Sequence, residues 1–521
     1  MKFVFLLSIF FPAFVLSKEP HIVLILCDDL GYSDLGCYGG EIQTPNIDAL
    51  AEMGVRYTQF MNTSRCCPSR AALLSGNYPH DVNMGWMTAA DEHRDGYRGE
   101  LSLAYPTLAE ILRGANYATA MSGKWHLTLD RQIEEPPNGS WPTERGFEKF
   151  FGCLAGGGSY RRHGRYVDGA EFIPKESLPS GFYYTDAITT RAVKFIEDHD
   201  PSQPLFLYLA HYAPHRPLDA PKNRTEIYFD RYEPGYDVLR QERFQRLKTL
   251  GLIEQDATLG AMGLSISESL PIGEPLPAWE DLSKTDQGVW IKEMSTYAAM
   301  IEIMDDGIGA VVNALENKGM REHTLFIFLS DNGSTFEGGR ISTLAANLSN
   351  TPYRGYKQLT DLGGVASPLI LSGYGIPSVG GLNRERTHII DLLPTCLSAA
   401  GVAYPATFRR KAINPPSGIS LLGRSGDKSF ENRILYWEHQ TSRAVSKGVW
   451  RLVSYREDFP WRLYNLFDDP FCYDDISSTH PEVVDELASE WLNWANDGNV
   501  LPLEPLRWKE RIEKYEEIGA N

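Results

Sequence analysis

The chain is 521 residues long and ordinary in composition, with 42% hydrophobic and 23% charged residues. That length allows a large core and two or three domain-sized units, and we find no strong internal repeat. The formal net charge of −18 argues against non-specific binding to nucleic acid or to anionic membranes. An acidic chain that binds an anion must gather its cationic side chains locally.

The N-terminus has the pattern of an export signal. Met1 and Lys2 precede an apolar run from Phe3 to Leu16, and Ser17 follows it. A basic start, a short apolar stretch and a small residue near its end predict a signal peptide over residues 1–17. An uncleaved anchor is the alternative, but the run is shorter than the ~20 residues of a membrane span. No later segment is long and apolar enough to cross a membrane, so we expect an exported, periplasmic or secreted protein without stable membrane insertion.

The cysteines are few for an exported chain of this size, and no Cys-x-x-Cys pair is present. Their odd number and their spacing predict neither a disulfide scaffold nor a zinc site. The sequence leaves open whether any of them pair. The seven are Cys27, Cys37, Cys66, Cys67, Cys153, Cys396 and Cys472.

Four apolar runs are predicted as strands, and each is followed by charged or metal-capable residues. Such runs, separated by helical patterns, predict an α/β fold with a mostly parallel sheet between helices. Ligands bind beyond the carboxyl ends of the strands in open sheets of this class, so four such ends predict one site. The runs and their followers are His21–Cys27 with Asp28 and Asp29, Tyr117–Met121 with Lys124 and His126, Leu205–Ala210 with His211 and His215, and Leu325–Leu329 with Asp331 and Asn332.

Residues 66–76 read C-C-P-S-R-A-A-L-L-S-G and predict a short helix. Pro68 suits the first helical turn, alanine and leucine favour the helix interior, and Gly76 is a helix stop. Cys66 is therefore expected just ahead of a helix N-terminus, where free N–H groups and the helix dipole favour an anion. Arg70 lies about one turn further and is able to reach back as a fixed positive charge. The alternative is a pair of buried free cysteines.

One candidate set offers only oxygen ligands: Asp28, Asp29, Asp331 and Asn332. Hard cations such as Ca²⁺ and Mg²⁺ prefer oxygen, whereas zinc usually recruits histidine or cysteine. The structural alternatives are a helix cap for the Asp-Asp-Leu-Gly segment and a simple turn for Asp-Asn-Gly.

A second candidate set carries or transfers positive charge: Lys124, His126, His215 and Lys357. The first two lie in Gly-Lys-Trp-His, the third in Ala-Pro-His-Arg-Pro and the last in residues 351–357. A lone histidine is more often packed or solvated than functional. We prefer that interpretation for three others, His163, His211 and His388.

Together these segments resemble the type I sulfatases, and the pattern is closest to the bacterial arylsulfatases. The run 66–76 matches the signature C-x-P-S-R-x-x-L-L-S-G of that family, with Cys66 rather than Cys67 as its first cysteine. The Gly-Lys-Trp-His and Ala-Pro-His-Arg-Pro segments are similar to family patterns as well. Near Lys357 the Glu-Gly-Gly often found in the family is missing. The resemblance covers nearly the whole chain after the predicted signal peptide.

The resemblance implies an alkaline-phosphatase-like α/β catalytic domain and a smaller C-terminal α+β subdomain with a short antiparallel sheet. We assign residues 18–425 to the first and 426–521 to the second. In the second, short strands are predicted at 434–438, 448–453 and 461–464, and an amphipathic helix at 482–495. The insertion between about 225 and 295 has no predicted role.

The resemblance also implies that a maturation enzyme converts Cys66 to formylglycine and that the protein binds Ca²⁺, with Mg²⁺ as the second choice. The metal ligands that it implies are Asp28, Asp29, Cys66, Asp331 and Asn332. The resemblance implies catalytic roles for Cys66, Arg70, Lys124, His126, His215 and Lys357. Of these, it implies that Lys124, His215 and Lys357 also bind the substrate.

The mechanism that the family implies follows from the charge of a sulfate monoester. The cation, Arg70, Lys124 and Lys357 neutralise the sulfate oxygens, and the hydrated aldehyde attacks sulfur with help from the metal and Asp331. His215, together with Lys357, protonates the leaving oxygen, and His126 deprotonates the second hydroxyl so that sulfate leaves. The expected substrate is a sulfated small molecule or glycan.

Two alternatives stay open. Phosphate and phosphonate monoester hydrolases share this architecture, and a non-catalytic relative would keep the pocket to bind sulfated glycans. For the natural substrate, the glycine- and arginine-rich segment 156–165 is a candidate binding loop for an anionic sugar. The alternative is that it is a solvated basic turn. Trp437, His439 and Arg443 are further pocket candidates, with packing as the alternative for each.

Overall fold

A computed structural model describes residues 18–133, 137–162, 165–263, 275–377, 380–423 and 433–520. The predicted signal peptide, the predicted boundary between residues 425 and 426, and His163 lie outside the described residues. Among the helices of the described ranges, none is both long and apolar enough to cross a membrane.

The larger part of the protein is built on a ten-stranded sheet. Its strands are β1 His21–Cys27, β2 Gly54–Met61, β3 Ala118–Lys124, β4 Lys149–Cys153, β5 Tyr166–Asp168, β6 Glu171–Phe172, β7 Leu205–Ala210, β8 Thr324–Ser330, β9 Leu369–Gly373 and β10 Gly381–His388. Their order across the sheet is β10-β2-β9-β8-β1-β7-β3-β4-β5-β6. The centre is parallel, because β1 pairs in parallel with β7 and β8, and β3 pairs in parallel with β7 and β4. Strand β9 runs antiparallel to both of its neighbours.

The central strands are buried on both faces. Every residue of β1, β7 and β8 is buried, which is why these strands appear in the sequence as continuous apolar runs rather than as alternating patterns. The helices that accompany this sheet are α1 Pro45–Glu52, α2 Cys66–Ser75, α3 Leu108–Gly114, α4 Tyr184–Glu197, α5 Lys222–Thr225, α6 Phe229–Tyr232, α7 Tyr236–Thr249, α8 Lys284–Asn317, α9 Arg340–Ser349, α10 Leu362–Val365 and α11 Leu392–Ala400. The predicted mostly parallel sheet between helices is confirmed.

Antiparallel elements follow the large sheet. A two-stranded ribbon, β11 Thr407–Phe408 and β12 Lys411–Ala412, precedes a four-stranded antiparallel sheet in sequential order. The strands of that small sheet are β13 Ile434–His439, β14 Ser442–Lys447, β15 Trp450–Ser454 and β16 Arg462–Asn465, and the last helices are α12 Pro481–Asp497 and α13 Trp508–Ala520. The expected small α+β unit is present, and β14 is a strand that the sequence patterns did not predict.

The small sheet packs on α12 and is joined to the larger part of the protein. Leu487 and Trp491 of α12 share a buried cluster with Val445 and Leu452 of the sheet. The indole N–H of Trp437 donates to the carbonyl of Asn62 at 2.7 Å, which joins β13 to the loop ahead of α2. The small sheet therefore supports the segment that carries Cys66.

The insertion between 225 and 295 contains α6, α7 and the start of α8. Arg243 of α7 is fully buried and forms ion pairs with Asp34 at 2.7 Å and Glu41 at 2.6 Å. In α8, the Tyr297 hydroxyl lies 2.8 Å from Asp34 Oδ2 and 3.0 Å from the carbonyl oxygen of Asp29. These contacts hold the loop that follows β1, so the insertion stabilises one edge of the candidate site.

Candidate active site

The four strands that are followed by the predicted site residues are neighbours in the sheet. Their order is β8-β1-β7-β3, all parallel, so their carboxyl ends meet at one edge. Beyond those ends the loops interlock: the N–H of Asp28 donates to the carbonyl of Ala213, and that of Asp331 donates to the carbonyl of Cys27, both at 3.1 Å. The sheet therefore brings together residues that are about 300 positions apart in the sequence.

The oxygen-bearing residues form a buried cluster at this edge. Asp28, Asp29, Asp331 and Asn332 are all 0% exposed. Asp29 accepts from the Asn332 side-chain amide at 2.7 Å, and its own N–H donates to Asp331 Oδ1 at 3.3 Å. Burial and the charge of Asp28 raise the pKa of Asp331. At Asp28, burial by itself would raise the pKa, but the positive charges of Lys124, His215 and Arg70 hold it below the usual value.

This cluster fits a hard divalent cation. Asp28 Oδ1 and Asn332 Oδ1 are buried and have no hydrogen-bond donor among the described residues. Ligand atoms of Asp28, Asp29, Cys66 and His215 lie within 4.8 Å of one another. A buried group of carboxylate and amide oxygens with free acceptor positions is the donor set that Ca²⁺ and Mg²⁺ prefer.

Helix α2 begins at Cys66, with Arg65 at its N-cap, and Gly76 ends it with φ of 71°. The helix is completely buried, and its N-terminus faces the oxygen cluster through Cys66. Arg70 donates to the carbonyl of Lys124 at 2.7 Å and to Asp331 Oδ2 at 3.0 Å. The guanidinium group thus reaches back to the sheet edge from about one turn inside the helix. Burial and the nearby Asp28 raise the pKa of the Cys66 thiol, which stays protonated.

Two buried lysines complete the cationic side of the site. Lys124 donates to Asp28 Oδ2 at 2.5 Å, and Lys357 donates to Asp29 Oδ2 at 3.0 Å. Burial by itself would lower the pKa of Lys357, but the charges of Asp29, Cys66 and Glu337 raise it. With Arg70, the two lysines concentrate positive charge around Cys66 in a chain whose net charge is −18.

The two predicted histidines have different neighbours at the site. His126 has an unusual φ of 57°, and its Nε2 lies 3.1 Å from the sulfur of Cys67. His215 lies 3.7 Å from Asp29 Oδ2, and its Nδ1 is hydrogen-bonded to the carbonyl of Arg216. Burial lowers the pKa of both imidazoles. At His126 the charge of Lys124 lowers it further, whereas at His215 the charge of Asp29 opposes the effect of burial.

Several other candidates lie in the core rather than at the site. His211 and His388 are fully buried, Trp437 packs between the two parts of the protein, and Arg443 stacks over Trp461 at 4.3 Å. His439 is buried and without a hydrogen-bond partner among the described residues, and all seven cysteines are free. Packing accounts for the histidines, for Trp437 and for Arg443, whereas Cys66 belongs to the site.

With the geometry established, comparison with known proteins is decisive: the sulfatase family model matches residues 20–402. The chain belongs to the sulfatase family. An uncharacterized sulfatase of Schizosaccharomyces pombe is 30% identical over 551 residues, covering 93% of this chain and 95% of the relative. The arylsulfatase of Klebsiella aerogenes is 32% identical over 446 residues, covering 78% and 92%. The chain is therefore a sulfuric ester hydrolase.

A solved structure supports the fold of this sulfatase. Ps i-CgsB, in a crystal structure with k-i-k-neocarrahexaose, superposes with a TM-score of 0.70 over 96% of this chain and 98% of its own. Sequence identity between the two is 22%, so the comparison extends to the architecture alone.

Two charged residues of the sulfatase site were not predicted from the sequence. Glu337 pairs with Lys357 and with Arg65, both at 2.9 Å, and the two cations hold the pKa of its carboxyl well below the usual value despite its burial. Arg65 adjoins the matched signature, but an arginine before a cysteine carries no signal by itself. Glu337 lies six positions after Asp331. It is beside Lys357 only because the chain from 351 to 357 folds back to the same edge of the sheet.

Replacing Glu337 by glutamine is expected to make inorganic sulfate a stronger competitive inhibitor. The change keeps the shape of the side chain and removes a negative charge beside Lys357 and Arg65, so an anion in the pocket is repelled less. We expect the inhibition constant of sulfate to fall about three- to tenfold. Glu316→Gln, which removes a surface ion pair with Arg321, is the control and leaves it unchanged. An unchanged or higher inhibition constant in Glu337→Gln contradicts this role for the carboxylate.

A glycine in the 156–162 loop allows His126 to occupy its position. A Cβ atom on Gly156 would lie 2.0 Å from Cε1 and Nε2 of His126, whereas one on Gly157 would meet only the Tyr212 hydroxyl at 3.8 Å. We expect Gly156→Ala to displace the imidazole and lower kcat by roughly 10–100-fold, while Gly157→Ala keeps kcat near the wild-type value. Steady-state kinetics measure kcat for both variants, and thermal melts show whether both are folded. Equal kcat values in the two variants would show that His126 tolerates the displacement.

Proposed function

We propose that this protein is an exported sulfatase that hydrolyses sulfate monoesters of aryl compounds or carbohydrates, using formylglycine formed from Cys66 and a bound Ca²⁺. The observation that carries the proposal is that Arg70, Lys124 and Lys357 pair with Asp28 or Asp29, whose carboxylate oxygens lie within 4.8 Å of the Cys66 sulfur at the N-terminus of α2. A sulfate monoester offers no uncharged face to a nucleophile, so its oxygens must first meet positive charge.

The residues present fit a divalent cation and a formylglycine at position 66. Asp28, Asp29, Asp331 and Asn332, with position 66, would hold the cation, and the buried oxygens Asp28 Oδ1 and Asn332 Oδ1, which accept no hydrogen bond from the described residues, support this assignment. Bound there, the cation supplies positive charge to the sulfate oxygens, and the hydrated aldehyde supplies two hydroxyl groups on one carbon. Ca²⁺ is preferred over Mg²⁺ because the family uses it.

The chain's own side chains bind the ester and move the protons. Arg70, Lys124 and Lys357 hold the sulfate group by charge-assisted hydrogen bonds. His215 lies beside Asp29 and position 66 and is the proposed proton donor to the leaving oxygen, because the charge of Asp29 favours its protonated form against the effect of burial. His126 is the proposed acceptor of a proton from a hydroxyl at position 66: burial and its basic neighbours keep the imidazole neutral, and its Nε2 lies 3.1 Å from the sulfur of Cys67, the next residue in the chain. Asp331 accepts hydrogen bonds from Arg70 at 3.0 Å and from the N–H of Asp29 at 3.3 Å, which fixes it within the cluster.

One relative supports a ring-bearing substrate. The Klebsiella protein, 32% identical to this chain, is an arylsulfatase. The predicted sugar-binding loop at 156–165 receives less support, because Arg161 is already paired with Asp219 at 3.2 Å and stacked over Tyr183 at 4.6 Å. Aryl sulfate and sulfated carbohydrate therefore stay the proposed classes.

Comparing 4-nitrophenyl sulfate with 4-nitrophenyl phosphate on one preparation tests the reaction. We expect kcat/KM for the sulfate to exceed that for the phosphate, with release of inorganic sulfate. The reverse order would establish the phosphate or phosphonate hydrolase alternative. No turnover of either ester, combined with tight binding of a sulfated glycan, would identify a non-catalytic binding protein.

The proposed export is tested separately. N-terminal sequencing of the protein from the native cell is expected to begin at Lys18, with the protein outside the cytoplasm. A mature chain that still begins at Met1 would contradict cleavage after Ser17.

A further inference from the structure

An exposed tryptophan stands at the rim of the candidate site. Trp508, the first residue of α13, is 41% exposed, and its ring lies 5.9 Å from the guanidinium carbon of Arg65. Arg65 is the direct neighbour of Cys66 and pairs with Glu337, which in turn pairs with Lys357. Two side chains, Arg65 and Glu337, thus lie between the aromatic ring and Lys357, a proposed sulfate-binding residue.

Arg65 has unused hydrogen-bond donors. Its side chain is only 7% exposed, and Nη2 is bound to Glu337. Its Nε and Nη1 groups are buried and have no acceptor in the part of the chain that the structure describes. A buried guanidinium group with unmet donors is costly unless something else supplies the acceptors. A ligand that enters beside Cys66 would supply oxygens at this point.

The helix that carries Trp508 is held firmly in place. Arg511 is 2% exposed, forms an ion pair with Glu92 at 2.8 Å and stacks over Trp86 at 5.0 Å. Trp86 in turn contacts the Trp508 ring with 5.0 Å between ring centroids. One side of Trp508 is therefore packed against a buried aromatic ring while much of its surface stays open. A rigid, half-open ring beside an arginine is suited to bind a planar aryl ring or the apolar face of a pyranose.

We propose that Trp508 and Arg65 form a binding subsite for the leaving group, in which Trp508 packs against an aryl or pyranose ring and Arg65 donates to oxygens on that ring. This inference rests on the proposed function and names the part of the substrate that lies beyond the sulfate group. The subsite discriminates between ring-bearing sulfate esters and free sulfate, because inorganic sulfate fills only the pocket of Arg70, Lys124 and Lys357.

Trp508→Ala tests the aromatic part of the subsite. For 4-nitrophenyl sulfate and glucose 6-sulfate, we expect kcat/KM to fall about three- to tenfold, the range of an aromatic ring contact. The inhibition constant of inorganic sulfate should stay within about twofold of wild type, because no sulfate ligand is removed. Trp508→Phe, which keeps a ring, should retain most of the activity, and Phe467→Ala removes a remote aromatic side chain that is 82% exposed and serves as the control.

Arg65→Lys tests the donors while keeping the charge beside Glu337. We expect kcat/KM to fall about tenfold for glucose 6-sulfate, whose hydroxyl groups lose a charged donor, and less than about threefold for 4-nitrophenyl sulfate. Equal losses for both substrates would remove Arg65 from the subsite. For Trp508→Ala, unchanged kcat/KM for both esters would overturn the proposal, as would a matching rise in the sulfate inhibition constant.

A binding experiment separates this inference from the proposed reaction. In full-length Cys66→Ala protein, which needs no turnover, calorimetry with 4-nitrophenyl sulfate should show a Kd about three- to tenfold higher when Trp508→Ala is added. Inorganic sulfate should bind both proteins equally. If wild-type protein turns over no sulfate ester but this difference in Kd is seen, the proposed reaction fails and the subsite stands. Equal Kd values for the ester overturn the subsite alone.

Discussion

Cys66→Ala is expected to lower kcat/KM for an aryl sulfate by roughly 10⁴-fold or more, because the variant loses the nucleophile and not only a binding contact. The fold should persist, since alanine suits a helix start and Cys66 makes no disulfide. The cations around position 66 remain, so inorganic sulfate should still bind. Loss of turnover with retained sulfate binding is the pattern that marks a nucleophile.

Mass spectrometry of the peptide that contains residue 66 completes that test. Active wild-type protein should carry an aldehyde in place of the Cys66 thiol, while Cys67 stays a thiol. Cys396→Ala is the matched control, because Cys396 is a fully buried free cysteine in α11. We expect it to keep normal kcat. Fully active protein with an unmodified thiol at position 66 would end the formylglycine mechanism.

Removal of the divalent cation is expected to abolish turnover and to lower the melting temperature by about 5 °C. Asp28, Asp29 and Asp331 are buried together, so their mutual repulsion destabilises the fold when a cation no longer offsets it. A chelator selective for Ca²⁺ over Mg²⁺ should suffice, and added Ca²⁺ should restore both activity and melting temperature. Melting curves give a readout that does not depend on turnover.

Two variants locate the cation. Asp331→Asn should lose one bound Ca²⁺ per chain by elemental analysis, together with the effect of the chelator on melting. Asp305→Asn is the control: Asp305 is equally buried, but it accepts the N–H of Ile47 at 2.8 Å and so caps α1. It should retain the bound ion. Full activity of metal-free wild-type protein would contradict the cation's role.

Local patterns predicted much of the architecture. The start and stop of α2 follow from Pro68 and Gly76, whose effects act within one helical turn, and the continuous apolar runs predicted buried parallel strands because both faces are covered. Strand β14 was not predicted, because its polar and small residues lack a clear alternation and its pairing partners on both sides decide its conformation.

The site could be predicted in part for a similar reason. Residues that directly follow strands or lie in a motif, such as Asp28 and Lys124, are found together because parallel strands place their carboxyl ends at one edge. Glu337, Arg65 and Trp508 lie in no recognisable pattern. Their nearness to the site depends on where a loop, a helix N-cap and the last helix pack.

The amino-acid sequence by itself determined the sulfatase family, the α/β class and the residues that surround Cys66, since a motif and strand periodicity are properties of neighbouring positions. Only the tertiary structure decided which charges neutralise one another and what stands at the rim. Glu337 bridges Lys357 and Arg65, and α13 brings Trp508 beside Arg65 from more than 400 positions away. Those contacts depend on packing across the whole chain, which local sequence patterns do not encode.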